Sequence, residues 1–143
     1  MGPNLLQNLR VYAGTDYTNG QKQLVFNFQL DNIKIQIPNE VKIGNYRIGI
    51  IEGDWFIVKY VGRATDQLLV DRLLQHKNHT DDHYYDDSYY FFYSPANSDE
   101  DAINQECIDF HSFGGEVTLD NKEHPALPNN TNCPWQGCNH VVG

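Results

Sequence analysis

The residues best suited to chemistry lie between positions 46 and 76 and on one later segment. They are two tyrosines, two arginines, a histidine and a glutamate: Tyr46, Tyr60, Arg63, Arg72, His76 and Glu106. Arginine binds phosphate oxygens, a carboxylate suits Mg²⁺, and tyrosine or histidine can move a proton. Phosphodiester hydrolysis needs these abilities in one site, so the elements that carry the residues must bring them together.

A predicted β-hairpin carries both tyrosines. Residues 46–51 and 55–61 are rich in aromatic and β-branched side chains, and residues 52–54 have turn chemistry. A three-residue loop would place Tyr46 directly opposite Tyr60, whereas a two-residue turn would place them on opposite faces. If both tyrosines belong to one site, we expect the hairpin to contain a loop with an odd number of residues or a β-bulge.

A predicted helix after the hairpin carries the second arginine and the histidine. Gly62 ends the second strand, and Thr65 or Asp66 can cap the helix that follows. Arg72 and His76 are four residues apart, so they share one face of this helix.

A second predicted helix carries the glutamate. It begins at Ser98, runs to about Phe113 and ends at the two glycines of 114–115. Glu106 lies in the middle of its apolar stripe. A carboxylate there is costly unless it is paired, protonated or bound to a metal, which makes Glu106 a candidate site residue. The alternative is a structural salt bridge, for example with Arg72.

The order of these residues resembles the GIY-YIG nuclease superfamily. Residues 60–62, Tyr-Val-Gly, match the YIG half of the family motif. Residues 44–46, Gly-Asn-Tyr, match the GIY half except that Asn45 replaces an apolar residue. The rival register, residues 49–51, lacks the tyrosine.

The resemblance continues beyond the name motif, over about residues 44–121. Arg72 and His76 fit the family's helical arginine and the histidine one turn later. Glu106 fits its later helical glutamate. Asn121 fits the asparagine that follows, and Asn132 is the rival candidate.

The resemblance implies a metal-dependent endonuclease that hydrolyses DNA. Glu106 would hold one divalent cation, Mg²⁺ or Mn²⁺, through its carboxylate. Tyr46 would be the general base, with its pKa lowered by the metal and by Arg72. Tyr60 would orient the attacking water or bind the scissile phosphate.

The remaining residues would bind the substrate or support the site. Arg72 would clamp the phosphate oxygens, and His76 would assist proton transfer. Asn121 would fix the site by hydrogen bonds. Arg63 and Lys59 would contact the DNA backbone.

The formal net charge of −9 argues against tight non-specific binding to nucleic acid. Residues 42–77 nevertheless carry six basic against four acidic groups, whereas residues 80–109 carry nine acids and no base. The alternatives are a catalytically weak domain that binds nucleic acid or protein, and a zinc-stabilised interaction domain.

The C-terminal tail contains candidate zinc ligands. Cys133, Cys138 and His140 could bind Zn²⁺, with His124, His111 or Cys107 as a fourth ligand. Otherwise the cysteines are free thiols beneath a loop anchored by Trp135.

These patterns predict a single α+β domain over residues 1–143, with a small antiparallel β-sheet flanked by helices. Residues 1–40 would form a β extension in which 22–30 and 33–37 make an extra hairpin. Residues 44–121 would be the motif core, and 122–143 a Cys- and Pro-rich tail. Residues 77–87 would form a solvated loop, and 88–94 a strand beside the motif hairpin.

No apolar run is long enough to cross a membrane, and the first ten residues lack the features of a signal peptide. Three cysteines in such a chain favour a reducing compartment, and we expect a cytoplasmic location.

Overall fold

A computed structural model describes residues 8–13, 22–53, 55–81, 83–128 and 132–138, with the backbone alone for 8–13 and 22–24. Among these residues, every helix is too short or too polar to cross a lipid bilayer. The elements follow one another as β1 (Asn8–Ala13), β2 (Lys22–Asn27), α1 (Leu30–Gln36), β3 (Gly44–Glu52), β4 (Trp55–Ala64), α2 (Leu69–Gln75), β5 (Tyr90–Pro95), α3 (Asp99–Ser112) and α4 (Gly115–Thr118). The predicted α+β class, an antiparallel sheet with several helices, is confirmed.

The strand order of the sheet is β1-β2-β5-β3-β4, and each neighbouring pair is antiparallel. A short parallel pairing of β1 with β4, at residues 12–13 and 55–56, closes the sheet on itself. The predicted strand at 88–94 is β5, which lies between β2 and β3. It therefore pairs with the motif hairpin, as expected.

The hairpin of β3 and β4 contains the predicted irregularity, but at a different place. Glu52 pairs with Trp55, so the predicted three-residue loop is wrong. A β-bulge lies further along, because Ile48 pairs with Tyr60 while Gly49 pairs with Val58. Lys59 is the extra residue.

The bulge places Tyr46 opposite Gly62, and not opposite Tyr60 as predicted. Tyr60 lies two residues from Gly62, so its side chain emerges on the same face as that of Tyr46. The two rings lie 6.2 Å apart between centroids. The expectation of a shared face for both tyrosines is confirmed.

The second arm of the predicted N-terminal hairpin is wrong, since residues 30–36 form helix α1. Ile33 and Ile37 are buried, whereas Ile35 is 58% exposed. The i, i+4 pair therefore packs inward from one helical face, a pattern that strand-like alternation also allows. Instead of pairing with residues 33–37, β2 pairs with β1.

The two helices of the motif core lie close to their predicted positions. Helix α2 begins at Leu69, and neither Thr65 nor Asp66 caps it, because Leu68 is the N-cap residue and makes no side-chain cap. Burial of Leu69 and Leu73 in the core fixes this start. Helix α3 has the predicted cap, in which the Ser98 hydroxyl accepts a hydrogen bond from the Asp101 amide at 3.1 Å.

Two apolar clusters lie on opposite faces of the hairpin. The α2 cluster includes Tyr46, Ile48, Tyr60, Ala64, Leu69 and Leu73. The α3 cluster includes Phe56, Val58, Val61, Phe110 and Phe113. Val58 and Val61 lie an odd number of residues apart yet share one cluster, because the bulge at Lys59 shifts the alternation of β4.

Gly62 makes room for the buried Tyr46 ring. A Cβ atom at this position would overlap the end of that ring, which is fully enclosed and cannot move aside easily. We expect Gly62→Ala to destabilise the domain by about 1–3 kcal/mol, measured by urea unfolding.

Gly53→Asn is the matched control for this substitution. Gly53 has φ +61°, which asparagine tolerates, and a Cβ atom there meets open space. Equal losses for the two variants would show that the contact with Tyr46 does not constrain position 62.

Candidate active site

A buried hydrogen-bonded chain links Tyr46 to His76. The Tyr46 hydroxyl lies 2.8 Å from His76 Nε2, and His76 Nδ1 lies 2.6 Å from the His83 carbonyl oxygen. The carbonyl can only accept, so Nδ1 carries the proton and Nε2 accepts from the tyrosine. Burial lowers the pKa of His76 from its usual 6.5 to about 4, so the imidazole is neutral at pH 7.

Tyr60 lies between this pair and the outside of the molecule. Its ring centroid is 5.0 Å from that of His76 and 4.7 Å from that of His83. It also lines a cavity of about 420 Å³ together with Glu106 and Asn121. Burial raises the pKa of Tyr60 to about 12 despite the opposing charge of Arg72.

Tyr46 differs from Tyr60 in its access to solvent. Its side chain is fully buried, and burial raises its pKa well above the usual value. Arg72 acts in the predicted direction and lowers the pKa of both tyrosines, but burial outweighs it. Both phenols are therefore neutral hydrogen-bond donors at pH 7.

Arg72 is held over the tyrosines by a carboxylate that the sequence analysis assigned to a solvated loop. Its Nη1 atom lies 3.0 Å from Asp81 Oδ2, and its guanidinium carbon lies 5.9 Å from the Tyr46 ring centroid. Asp81 also approaches Nδ1 of His76 at 3.7 Å and of His83 at 3.4 Å. Asp81 thus holds Arg72 in place, and it accepts a hydrogen bond from the His83 backbone amide at 2.9 Å.

Glu106 pairs with Arg63 on the α3 side of the hairpin. Glu106 Oε1 accepts from Arg63 Nη1 at 2.5 Å, and the same nitrogen donates to the Ala126 carbonyl at 3.0 Å. The Glu106 side chain is 12% exposed. Burial raises the pKa of Glu106, and the charge of Arg63 opposes that rise. The predicted cost of a buried carboxylate is thus offset by an arginine, which is Arg63 and not Arg72.

A second cavity, of about 250 Å³, brings both arginines to Glu106. Its lining includes Arg63, Arg72, Glu106 and Ala126, whereas Tyr60 and Asn121 line the larger cavity with Glu106. The carboxylate therefore belongs to the walls of both cavities. Side chains from the two faces of β4 meet there, at the edge of the strand.

Asn121 closes the edge of β4 in the way that a neighbouring strand would. Its side-chain oxygen accepts from the Val61 amide at 3.0 Å, and its amide nitrogen donates to the Val61 carbonyl at 2.9 Å. The Asp120 amide donates to the Lys59 carbonyl at 2.6 Å. Asn121 makes site-fixing hydrogen bonds of the kind predicted for it, whereas its rival Asn132 is exposed.

Asn45, which departs from the family motif, has a clear structural role. It is 1% exposed, and its side-chain amide donates to the Ala102 carbonyl at 2.9 Å. This bond joins β3 to the first turns of α3. An apolar residue there would leave the Ala102 carbonyl without this donor.

Sequence reasoning missed the contribution of the segment after α2. Tyr85 is 3% exposed, and its hydroxyl donates to Asp120 at 2.9 Å. His83 lies with its Nε2 atom 3.1 Å from the Asp120 carbonyl oxygen. The single sequence signal for this contact is an aromatic residue within a polar run, whereas Asp86 and Asp87 are exposed as predicted.

A second cluster of polar side chains lies at the far end of α3. One ligand atom from each of His111, His124, Cys133 and Cys138 lies within 4.8 Å of the others. The tail therefore brings the two predicted cysteines together with both alternative histidines. His140, the third predicted ligand, lies outside the described residues.

The chain matches no family model, and comparisons with curated proteins and with solved structures gave no match.

The depressed pKa of His76 predicts a specific pH dependence of stability. Between pH 4 and pH 6.5 the unfolded chain binds a proton at this residue that the folded chain does not. The contribution is therefore complete above 6.5 and is lost as the pH falls toward 4. Urea unfolding should show a loss at this site of about 2 kcal/mol from pH 7 to pH 5.

His76→Gln is the matched variant for this measurement, since glutamine can hydrogen-bond with Tyr46 but does not titrate in this range. Its stability should depend less steeply on pH than that of the wild type. Parallel curves for the two proteins would contradict a buried, neutral His76.

Proposed function

We propose that this protein is a metal-dependent endonuclease of the GIY-YIG type, which hydrolyses phosphodiester bonds in DNA. The observation that carries the proposal is the convergence of six side chains from the hairpin, α2 and α3. They are the residues that the family resemblance singles out on those elements: Tyr46, Tyr60, Arg63, Arg72, His76 and Glu106. Tyr60, the two arginines and Glu106 line two adjoining cavities, and Tyr46 and His76 are buried beside Tyr60.

The donor set fits one divalent cation held at Glu106. Mg²⁺ is commonly bound by one or two carboxylates, with waters and phosphate oxygens completing its coordination. Glu106 is a carboxylate at the wall of both cavities, with arginines beside it to receive a phosphate. When bound, the cation would neutralise charge on the phosphoryl group and stabilise the leaving oxygen.

The two arginines would hold the scissile phosphate. Arg72 is fixed by Asp81, so its guanidinium is already oriented at the cavity. Arg63 neutralises Glu106 in the present state and can exchange that contact for a phosphate oxygen when a cation takes its place. Lys59, at the bulge, would add a contact to the DNA backbone.

The two tyrosines would have different roles toward the attacking water. Tyr60 lines the larger cavity, so its hydroxyl can orient the attacking water or donate to the phosphate. Tyr46 is enclosed and donates to the neutral His76. Because burial raises the pKa of Tyr46, it would act as general base only when the cation lowers that pKa and its hydroxyl reaches the attacking water. Asn121 holds β4, which carries Tyr60 and Arg63, against the following loop.

Two observations favour the alternative of a DNA-binding domain with weak catalysis. The Tyr46 hydroxyl is closed off from both cavities, and Glu106 is already paired. Binding of DNA without Mg²⁺-dependent nicking of a supercoiled plasmid would support this alternative over the nuclease.

Glu106→Gln should separate catalysis from binding. The amide keeps the shape of the side chain and removes the charge that would hold the cation. Plasmid nicking in Mg²⁺ should fall by about a thousandfold or more, because stabilisation of a phosphoryl transition state by a metal is worth several kcal/mol. DNA affinity measured by fluorescence anisotropy without metal should hold or rise.

Glu116→Gln is the matched control, since it removes one negative charge from an exposed position on α4. It should nick at the wild-type rate, and EDTA should abolish nicking by both the wild type and this control. Intact nicking by Glu106→Gln, together with a lowered unfolding midpoint, would make Glu106 a structural partner of Arg63 only.

The charge distribution predicts that DNA affinity falls only slowly as the salt concentration rises. Only Arg63, Arg72 and Lys59 are assigned to phosphates, on a chain with a net charge of −9. Three contacts give a slope of log affinity against log salt of roughly −3, since each contributes about −0.9. A slope more than twice as steep would locate the DNA surface elsewhere.

A further inference from the structure

A second metal centre, with ligands other than the residues of the proposed nuclease site, is indicated at the C-terminal end of α3. His111 projects from the last turn of α3, His124 from the loop after α4, and Cys133 and Cys138 from the tail. Their four ligand atoms lie within 4.8 Å of one another. We propose that His111, His124, Cys133 and Cys138 bind one structural Zn²⁺ ion.

The spacing of the ligand atoms fits tetrahedral zinc. Zinc–sulfur and zinc–nitrogen bonds of about 2.3 and 2.0–2.1 Å place neighbouring sulfur and nitrogen ligands about 3.6 Å apart. His124 Nε2 lies 3.4 Å from Cys138 Sγ, close to this separation. The widest pair needs to close by about 1 Å, which side-chain rotation can supply.

The protonation states also suit a metal. His124 Nδ1 lies 2.9 Å from the Pro125 carbonyl oxygen, which can only accept, so Nδ1 carries the proton. Its Nε2 atom then has a lone pair directed at the cluster. Metal-bound histidines usually donate their other ring nitrogen to a carbonyl or carboxylate in this way.

His111 provides a separate indication. Its Nε2 atom is buried and has no hydrogen-bond partner among the described residues. The imidazole is held in place by stacking on Trp135, at 5.4 Å between centroids. A buried polar atom without a partner is costly, and coordination of a metal by this ring would remove that cost.

The ligand set balances charge and resembles known structural zinc chemistry. Two cysteine thiolates neutralise Zn²⁺, and two neutral imidazoles complete four ligands without an open position for water. The metal would have a structural role, because it would join α3, the loop and the tail. The loop also contains Ala126, whose carbonyl accepts a hydrogen bond from Arg63. The same centre would therefore hold one wall of the smaller cavity.

The direct test is the metal content of the intact protein, purified without chelator and measured by plasma mass spectrometry. We expect close to one equivalent of zinc per chain. Removal by a strong chelator should lower the melting temperature, and adding back Zn²⁺ should restore it. A metal-free protein whose melting temperature does not change with Zn²⁺ would overturn the proposal.

Co²⁺ can replace Zn²⁺, and its absorption spectrum identifies the type of ligand even where a variant is unstable. The Co²⁺-loaded wild type should show the visible bands of a tetrahedral site and a thiolate charge-transfer band. Cys138→Ser should lose about half of that charge-transfer intensity, whereas Cys107→Ser should retain all of it. Octahedral cobalt without thiolate transitions would also overturn the proposal.

The histidine ligands are tested by paired substitutions. His111→Asn and His124→Asn should each lower zinc content, whereas His79→Asn, at an exposed position, should not. His140→Asn distinguishes His111 from His140 as the fourth ligand. If His140→Asn loses zinc while His111→Asn keeps it, His140 and not His111 is the ligand. DNA nicking enters none of these measurements, so failure of the nuclease proposal would leave this test intact.

Discussion

The β-bulge at Lys59 is the local constraint on which the packing of the hairpin and the candidate site both depend. Before it, Phe56 and Val58 face α3, and after it Tyr60 faces α2 beside Tyr46. A regular ladder would have sent Tyr60 and Tyr46 to opposite faces. Gly49 permits the bulge, since a Cβ atom there would overlap the Ile57 carbonyl on the neighbouring strand. One extra residue thus decides which side chains can meet.

The second constraint is the cost of burying charged side chains, which ion pairs between α3 and the hairpin offset. Glu106 pairs with Arg63, and Asp109 Oδ2 lies 2.7 Å from Arg47 Nε as an ion pair without hydrogen-bond geometry. Such pairs stabilise a fold weakly after desolvation, but removal of one partner leaves a buried charge. They fix the rotation of α3 against the sheet. Glu106 therefore reaches the edge of β4, where Asn121 replaces a missing strand and the side chains of both faces converge.

Several features follow from the sequence alone because their causes are local. Dense aromatic and β-branched residues on both sides of a turn determined the hairpin, and the Ser98 cap and the glycines at 114–115 determined the ends of α3. The hypothesis of a site that uses both Tyr46 and Tyr60 predicted an odd loop or a bulge between them, and the structure contains the bulge. The four-residue spacing of Arg72 and His76 placed both on one helical face. Packing of α2 against the hairpin then brought that face to the tyrosines.

Other features were decided only by tertiary contacts. Residues 30–36 became a helix because Ile33 and Ile37 could both pack inward, a choice that alternation in the sequence leaves open. Asp81 acquired its role because folding brought a polar loop beside Arg72, and no local period marks such a residue. The partner of Glu106 could not be read from the sequence either, because Arg63 and Arg72 are both near it and only the bulge in β4 determines which one points toward α3. The sequence left His124, His111 and Cys107 as alternatives for the fourth ligand of the tail, and both histidines meet Cys133 and Cys138 because the tail folds back on the end of α3.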